Sequence, residues 1–236
     1  MMDRGHYRDR RDAGQVLAWH LCAQDLGDHP VVLALPRGGV PVGAEVAASL
    51  GMPLEVFLVR KLGLPGNPEL AMGAIASGGI RLLDEELIAR MRVPESLVAD
   101  VIRQEQLELR RREEKYRPEG PLRIESQPVI VVDDGLATGF SMRAAVAALR
   151  QTGCSRITVA VPVGASETCR ELAHEVDLLV CPLRPADFVA VGAWYKDFTP
   201  TSDEEVRDCL ARAGRDNPRS NEEPGTWRWS HRSTPT

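Results

Sequence analysis

Two adjacent carboxylates, Asp133 and Asp134, stand between an apolar segment and a loop rich in glycine and hydroxyl groups. The preceding residues 128–132 are a proline and four β-branched residues, a pattern typical of a buried parallel strand. The loop that follows comprises Gly135, Leu136, Ala137, Thr138, Gly139 and, after one more residue, Ser141. Residues 141–150 are rich in alanine and carry an apolar stripe, which predicts a helix.

This order of strand, acidic pair, glycine loop and helix is suited to holding a sugar phosphate. Glycine allows backbone amides to approach an anion closely, and the first amides of a helix point toward it. Because the two carboxylates would repel a phosphate, they suit vicinal hydroxyl groups or a magnesium ion instead. The structural alternative is an ordinary strand-to-helix turn capped by an aspartate.

The whole segment resembles the phosphoribosyl-pyrophosphate (PRPP) motif of the type I phosphoribosyltransferases. The family pattern is an apolar strand, two acids, two variable residues and a loop of small residues with Thr and Gly. The resemblance implies that Asp133 and Asp134 hold the ribose 2- and 3-hydroxyls and that residues 137–141 cradle the 5-phosphate. It also implies Mg²⁺ as cofactor, which the two aspartates would contact only indirectly, through PRPP and water.

A second glycine loop follows an earlier apolar strand, residues 31–35, and consists of Pro36, Arg37, Gly38 and Gly39. It is neither a Walker loop nor a dinucleotide fingerprint, because the Gly-Lys-Ser/Thr and the glycine spacing of those motifs are missing. The loop resembles the one with which the family grips pyrophosphate through backbone amides, and Arg37 would be its charged clamp. By the same analogy, a non-proline cis peptide is expected beside Arg37 or Gly38.

A third candidate is the cation pair Arg60 and Lys61, which follows the mainly apolar residues 54–59. Glycine and proline follow these cations in quick succession, which predicts a mobile loop over residues 60–69. Family members carry a flexible loop here that closes over the reaction centre, so Arg60 and Lys61 are expected to neutralise departing pyrophosphate. A solvated basic turn is the alternative interpretation.

The base side is assigned to the most aromatic stretch of the chain, residues 185–198. Purine-specific members of the family have a similar segment that stacks on the base. On that resemblance the candidates are Phe188, Val189, Trp194 and Tyr195. An aromatic cluster that packs the C-terminal helix explains the same residues without a ligand.

The reaction that the resemblance implies is transfer of the 5-phosphoribosyl group of PRPP to a nitrogen nucleophile, a nucleobase-like acceptor, with release of pyrophosphate. Arg37, Lys61, Asp133 and Asp134 are the expected catalytic residues. Family members that act on 6-oxopurines carry an aspartate where this loop has Ala137, which argues against hypoxanthine or guanine. The acceptor and any general base stay open.

Two other functions share this scaffold. One is a non-catalytic regulatory protein that binds PRPP or a nucleotide, although the sequence lacks a basic recognition helix. The other is a phosphate-dependent lyase or hydrolase. An acyl hydrolase is disfavoured because the chain has no Gly-x-Ser-x-Gly elbow.

The elements that must position these residues alternate between strand and helix from residue 31 to residue 181. This alternation predicts an α/β fold, doubly wound, with a mainly parallel sheet of about five strands flanked by helices. We expect one phosphoribosyltransferase-like domain over residues 1–213, with insertion helices at about 84–117 and a small hood at about 184–200 plus the N-terminal part. The long charged helix after residue 94 is either a solvated helix over the sheet edge or the arm of a homodimer. Residues 214–236 are expected to be a disordered tail.

The composition of the chain indicates which partners and which cellular location to expect. The chain has 236 residues and a formal net charge of -5, which gives no general attraction to nucleic acid or to an anionic membrane surface. The polar N-terminus lacks the apolar core of a secretory signal, and the five scattered cysteines suggest reduced thiols. We therefore expect a cytoplasmic protein without a nucleic-acid or membrane partner.

Overall fold

The structure is a computed structural model, and it describes residues 6–116 and 124–216. The elements in chain order are α1 (Arg10–Leu21), β1 (Val31–Ala34), α2 (Gly39–Leu50), β2 (Leu54–Val56), β3 (Val59–Leu64), β4 (Asn67–Ala76), β5 (Ile80–Leu83), α3 (Glu85–Arg90), α4 (Glu95–Tyr116), β6 (Pro128–Val132), α5 (Phe140–Gln151), β7 (Arg156–Ala160), α6 (Ser166–Leu172), β8 (Leu178–Val180), a short 3-10 helix (Val191–Trp194) and α7 (Asp203–Asp216).

The central sheet has five parallel strands in the order β2-β1-β6-β7-β8, which confirms the predicted doubly wound fold. In the register of the two middle strands, Val31 lies beside Val129 and Ala34 beside Val132. The chain winds outward from β1 in one direction and from β6 in the other. The switch point between these two strands is where ligands bind in folds of this kind.

Alternate residues of each strand supply two separate apolar layers. Leu33 and Val131 face the layer formed with α5 and α6, whereas Val32 and Ile130 face the layer formed with α1 and α2. Each of these four side chains is fully buried. A strand that is buried on both faces must be apolar at every position, which explains the unbroken runs of Val, Ile and Leu in the sequence.

A second sheet of three antiparallel strands, β3-β4-β5, corrects the prediction of a mobile loop over residues 60–69. Arg60 and Lys61 lie on β3 and pair with Ile75 and Ala74 of β4. The glycine and proline residues indicated an open loop, but Gly66, with a φ of 80°, lies in the tight turn between β3 and β4. β4 and β5 are joined by a tight turn at Gly78 and Gly79, both of which have positive φ.

Two helices, α3 and α4, lie within residues 84–117, and α4 packs against β3, β4 and α7. That they form an insertion into the domain stays a prediction. α7 continues to Asp216, so the prediction of a disordered tail is wrong for residues 214–216, which are helical. The rest of the predicted tail, residues 217–236, lies outside the described part of the chain. Within residues 6–116 and 124–216, no helix has both the length and the apolar composition needed to cross a membrane.

The N-terminal residues and the 3-10 helix join into one cap beside the sheet. The Tyr7 backbone N–H donates to the carbonyl of Trp194, and the Lys196 N–H donates to the carbonyl of Tyr7. The Tyr7 hydroxyl donates to the carbonyl of Pro162 over 2.8 Å, which ties this cap to the end of β7. The contact is consistent with the predicted hood at about residues 184–200 plus the N-terminal part.

Candidate active site

The loops that follow β1 and β6 meet at the switch point of the sheet. A Cβ atom at Gly38 would lie 2.0 Å from Oδ2 of Asp134, and one at Gly39 would lie 2.9 Å from Cα of Asp133. Real Cβ atoms do not approach other heavy atoms so closely, so only glycine allows the two loops to touch. The predicted pyrophosphate loop and the predicted acidic pair are therefore brought together with no side chain between them.

The first loop, Pro36 to Gly39, turns directly from β1 into α2. The peptide bond between Pro36 and Arg37 is cis, as the resemblance led us to expect. The Gly39 N–H donates to the carbonyl of Leu35 across the turn. Arg37 is about half exposed, and its Nη1 lies 3.9 Å from Oδ1 of Asp203, the first residue of α7.

Asp134 is held by groups from two other parts of the chain. Arg10 donates from Nε to Asp134 Oδ2 over 2.9 Å, and the Tyr195 hydroxyl donates to the Asp134 carbonyl over 2.5 Å. Arg10 is fixed in turn by a bond to the Thr199 carbonyl and by the Phe198 ring, whose centroid lies 4.0 Å from its guanidinium carbon.

The two carboxylates are enclosed by protein atoms yet remain partly accessible to solvent. Burial, and then the neighbouring Asp134 carboxylate, raise the pKa of Asp133 well above its ordinary value. Burial also raises the pKa of Asp134, while Arg10 acts in the opposite direction. Asp133 Oδ1 accepts a hydrogen bond from the Asp134 N–H, which sets the orientation of the pair.

The second loop, residues 135–139, is fixed from the side of β7 and α6. The Leu136 N–H donates to the carbonyl of Val163, and the Thr168 hydroxyl donates to the carbonyl of Ala137. Gly139, with a φ of 75°, occupies a left-handed conformation and ends the loop where α5 begins at Phe140. Thr138 and Ser141 are exposed, so their hydroxyl groups are accessible to a ligand.

The two cations assigned to the flexible loop occupy different surroundings on β3. The Lys61 ammonium lies 5.6 Å from the centroid of the Phe140 ring, at the end of the second loop. Arg60 forms an ion pair with Glu105 of α4. The structure therefore brings Lys61, but not the Arg60 guanidinium, toward the loop of the acidic motif.

The four base-side candidates do not share one environment. Val189 is 86% exposed, Phe188 is half-buried, and Trp194 stacks on His6 with 5.5 Å between the ring centroids. Tyr195 is buried, with its hydroxyl bound to Asp134. That these residues contact a base stays a prediction, and Tyr195 also has a second role in fixing the acidic pair.

Sequence reasoning missed Arg10, the positioning role of Tyr195, and the place of Asp203 beside Arg37. Arg10 lies in a charged segment that predicts only a polar N-terminus, and 124 residues separate it from Asp134. The sequence signal that could have pointed to Arg10 is that no cation lies near the Asp133–Asp134 pair along the chain. Two adjacent buried acids require a cation from elsewhere in the chain.

A sequence model of the phosphoribosyl transferase domain matches residues 10–192. Relatives provisionally named phosphoribosyl transferase in Mycobacterium tuberculosis strains CDC 1551 and H37Rv are each 44% identical over 211 residues. The match covers 89% of this chain and 47% of each relative, so the chain spans about half the length of these curated relatives.

Among solved structures, TT1426 from Thermus thermophilus is 43% identical, with a TM-score of 0.78. That alignment covers 88% of this chain and 98% of TT1426. The strand order, the paired loops and the sequence matches agree, and the chain belongs to the phosphoribosyl transferase domain family.

Proposed function

We propose that the protein binds PRPP with magnesium and transfers the 5-phosphoribosyl group to a small nitrogenous acceptor, releasing pyrophosphate. The observation that carries the proposal is the direct contact between the loop of Gly38 and the carboxylate of Asp134. A diol-binding group and an amide loop for a second anion then lie side by side. PRPP is a ligand that presents a diol and a pyrophosphate on adjacent atoms.

Each part of PRPP has a matching group in the crevice. In this assignment the residue 135–141 loop receives the 5-phosphate through backbone amides and the hydroxyls of Thr138 and Ser141. Asp133 and Asp134 accept hydrogen bonds from the ribose hydroxyls, and Asp134 does so while Arg10 holds its Oδ2. In the loop Pro36 to Gly39, the backbone N–H groups of Arg37 and Gly38 would donate to pyrophosphate, because proline has no N–H and that of Gly39 already binds the Leu35 carbonyl. Arg37 and Lys61 supply positive charge.

The donor set fits magnesium that arrives with the substrate. Phosphate and hydroxyl oxygens of PRPP, with water, would surround the ion, and the two partly accessible carboxylates would contact it only indirectly, through PRPP and water. When bound, magnesium would neutralise charge on the departing pyrophosphate. The contribution of the chain itself is to orient the ribose, to hold both anionic ends and to place cations beside the leaving group.

The test is a panel of nucleobases incubated with PRPP and magnesium, with pyrophosphate release as the readout. Base-dependent release accompanied by a nucleotide product is the expected result. Release that needs no base would replace the proposal with a hydrolase, and PRPP binding without any release would replace it with a regulatory sensor. Absence of PRPP binding would overturn the assignment of the crevice.

A further inference from the structure

A cluster of charged side chains lies beside the predicted pyrophosphate loop, where the end of α4 meets the start of α7. Lys115 and Tyr116 both donate hydrogen bonds to the carboxylate of Asp203. Arg37, from the loop after β1, has its Nη1 3.9 Å from the same carboxylate. Two separate segments of the chain thus converge on one aspartate of α7.

The charges in this cluster do not balance. One carboxylate faces two cations, Arg37 and Lys115, and the hydrogen bonds to it, first from Lys115 and then from Tyr116, lower the pKa of Asp203 to about 2. Earlier on α4, the single carboxylate of Glu108 pairs with both Arg111 and Arg112. Arg37 and Lys115 therefore outnumber the one carboxylate that they share beside the amide loop.

The two cations that Asp203 binds can also reach outward. Arg37 is 51% exposed and Lys115 33% exposed, so neither is sealed inside the protein. Lysine is a point charge on a flexible stem and can exchange one oxygen partner for another without movement of its helix. The Tyr116 side chain, by contrast, is buried and anchors the end of α4 to α7.

We propose that Lys115 binds the pyrophosphate group of the sugar substrate together with Arg37, and that this anion displaces the Asp203 carboxylate from the two cations. The proposal rests on the function proposed above and adds a residue from the insertion helix to the leaving-group side. Asp203 acts only through Arg37 and Lys115, as an internal anion that competes with the substrate for them. The ligand class is a diphosphate, and the 5-phosphate end of the substrate is not involved.

Calorimetric titration of two ligands separates a specific role of Lys115 in pyrophosphate binding from a general effect on the whole site. Magnesium pyrophosphate reports on the leaving-group side, and ribose 5-phosphate reports on the acidic pair and the second loop. Lys115→Gln is the test variant and Lys115→Arg its conservative partner. Arg103→Gln is the matched control, since Arg103 lies on the same helix and pairs with Asp100 at an exposed site.

Lys115→Gln should bind magnesium pyrophosphate about tenfold more weakly, the loss expected for one charge-assisted hydrogen bond. Its affinity for ribose 5-phosphate should match the wild type, and Lys115→Arg should recover most of the pyrophosphate affinity. Asp203→Asn should bind pyrophosphate more tightly than the wild type, because a competing negative charge is removed.

The inference is overturned if Lys115→Gln binds pyrophosphate as Arg103→Gln does, or if it loses both probes equally. It is also overturned if Asp203→Asn weakens pyrophosphate binding while its thermal unfolding is unchanged. A wild-type protein that binds neither probe would instead refute the proposed function, so the two failures are distinguishable.

Discussion

Arg10 and Asp134 form an ion pair in which both side chains are largely buried, at 11% and 17% exposure. The pair connects the first helix to the acidic motif that follows β6. Because the Arg10 guanidinium also binds the Thr199 carbonyl, it connects the segment after the 3-10 helix to the centre of the proposed PRPP site. Loss of this cation should therefore affect the stability of the whole domain.

Arg10→Gln should lower the free energy of unfolding by about 2–4 kcal/mol, because it leaves a buried carboxylate without its cation. Chemical denaturation at neutral pH measures the change. Arg8→Gln is the control, since Arg8 makes a comparable ion pair with Asp12 at 73% exposure and should lose less than about 1 kcal/mol. In Arg10→Gln/Asp134→Asn part of the loss should return, and strictly additive losses would contradict a direct coupling.

Gly38→Ala should abolish measurable PRPP binding, because the added methyl group would overlap the Asp134 carboxylate. The two loops must then separate, at a cost of about 1–3 kcal/mol in stability. Gly214→Ala is the matched control, since a Cβ at that helical position would have no atom of the described residues within 4 Å apart from its own helix backbone. Calorimetry with PRPP and magnesium measures both variants, and wild-type affinity in Gly38→Ala would contradict the contact.

Tyr195→Phe removes the hydroxyl that binds the carbonyl of Asp134, and Tyr7→Phe removes the one that binds the carbonyl of Pro162. Both tyrosines are buried, so each variant should lose about 1–3 kcal/mol of stability. We expect only Tyr195→Phe to lower PRPP affinity, by several-fold. Equal affinities in the two variants would assign Tyr195 a purely structural role.

Asp133→Asn should be more stable than the wild type at pH 7.5. The folded protein raises the pKa of Asp133, so the stability this group contributes is present below its ordinary pKa and is lost as pH rises toward the raised value. Asparagine keeps an oxygen for the Asp134 N–H but never ionises.

Thermal unfolding at pH 7.5 and at about pH 4 measures this difference. The advantage of Asp133→Asn should shrink at the lower pH, where the wild-type carboxyl group is increasingly protonated in both states. Asp100→Asn, at an exposed site on α4, should show no such advantage. Equal stability of Asp133→Asn and the wild type at pH 7.5 would show that the acidic pair carries no burial cost.

The sequence allowed the central sheet and the two loops to be predicted because each depends on neighbouring residues. Unbroken apolar runs mark strands buried on both faces, and glycines at their ends mark close backbone approaches. By contrast, Arg60 and Lys61 were assigned to a loop because a solvated turn and a charged antiparallel strand look alike without their partner strand. The partnership of Arg10 with Asp134 depends on how the finished fold brings distant segments together, and no local pattern encodes it.

The assignment of the acidic pair to the ribose is tested most directly by calorimetric titration of PRPP, with and without magnesium, into the wild type and Asp133→Asn/Asp134→Asn. Asp100→Asn controls for the loss of a negative charge, and thermal unfolding confirms that each variant is folded. We predict magnesium-dependent binding in the wild type and in Asp100→Asn, with at least tenfold weaker binding in the double variant. Unchanged PRPP affinity in the folded double variant would contradict the central claim.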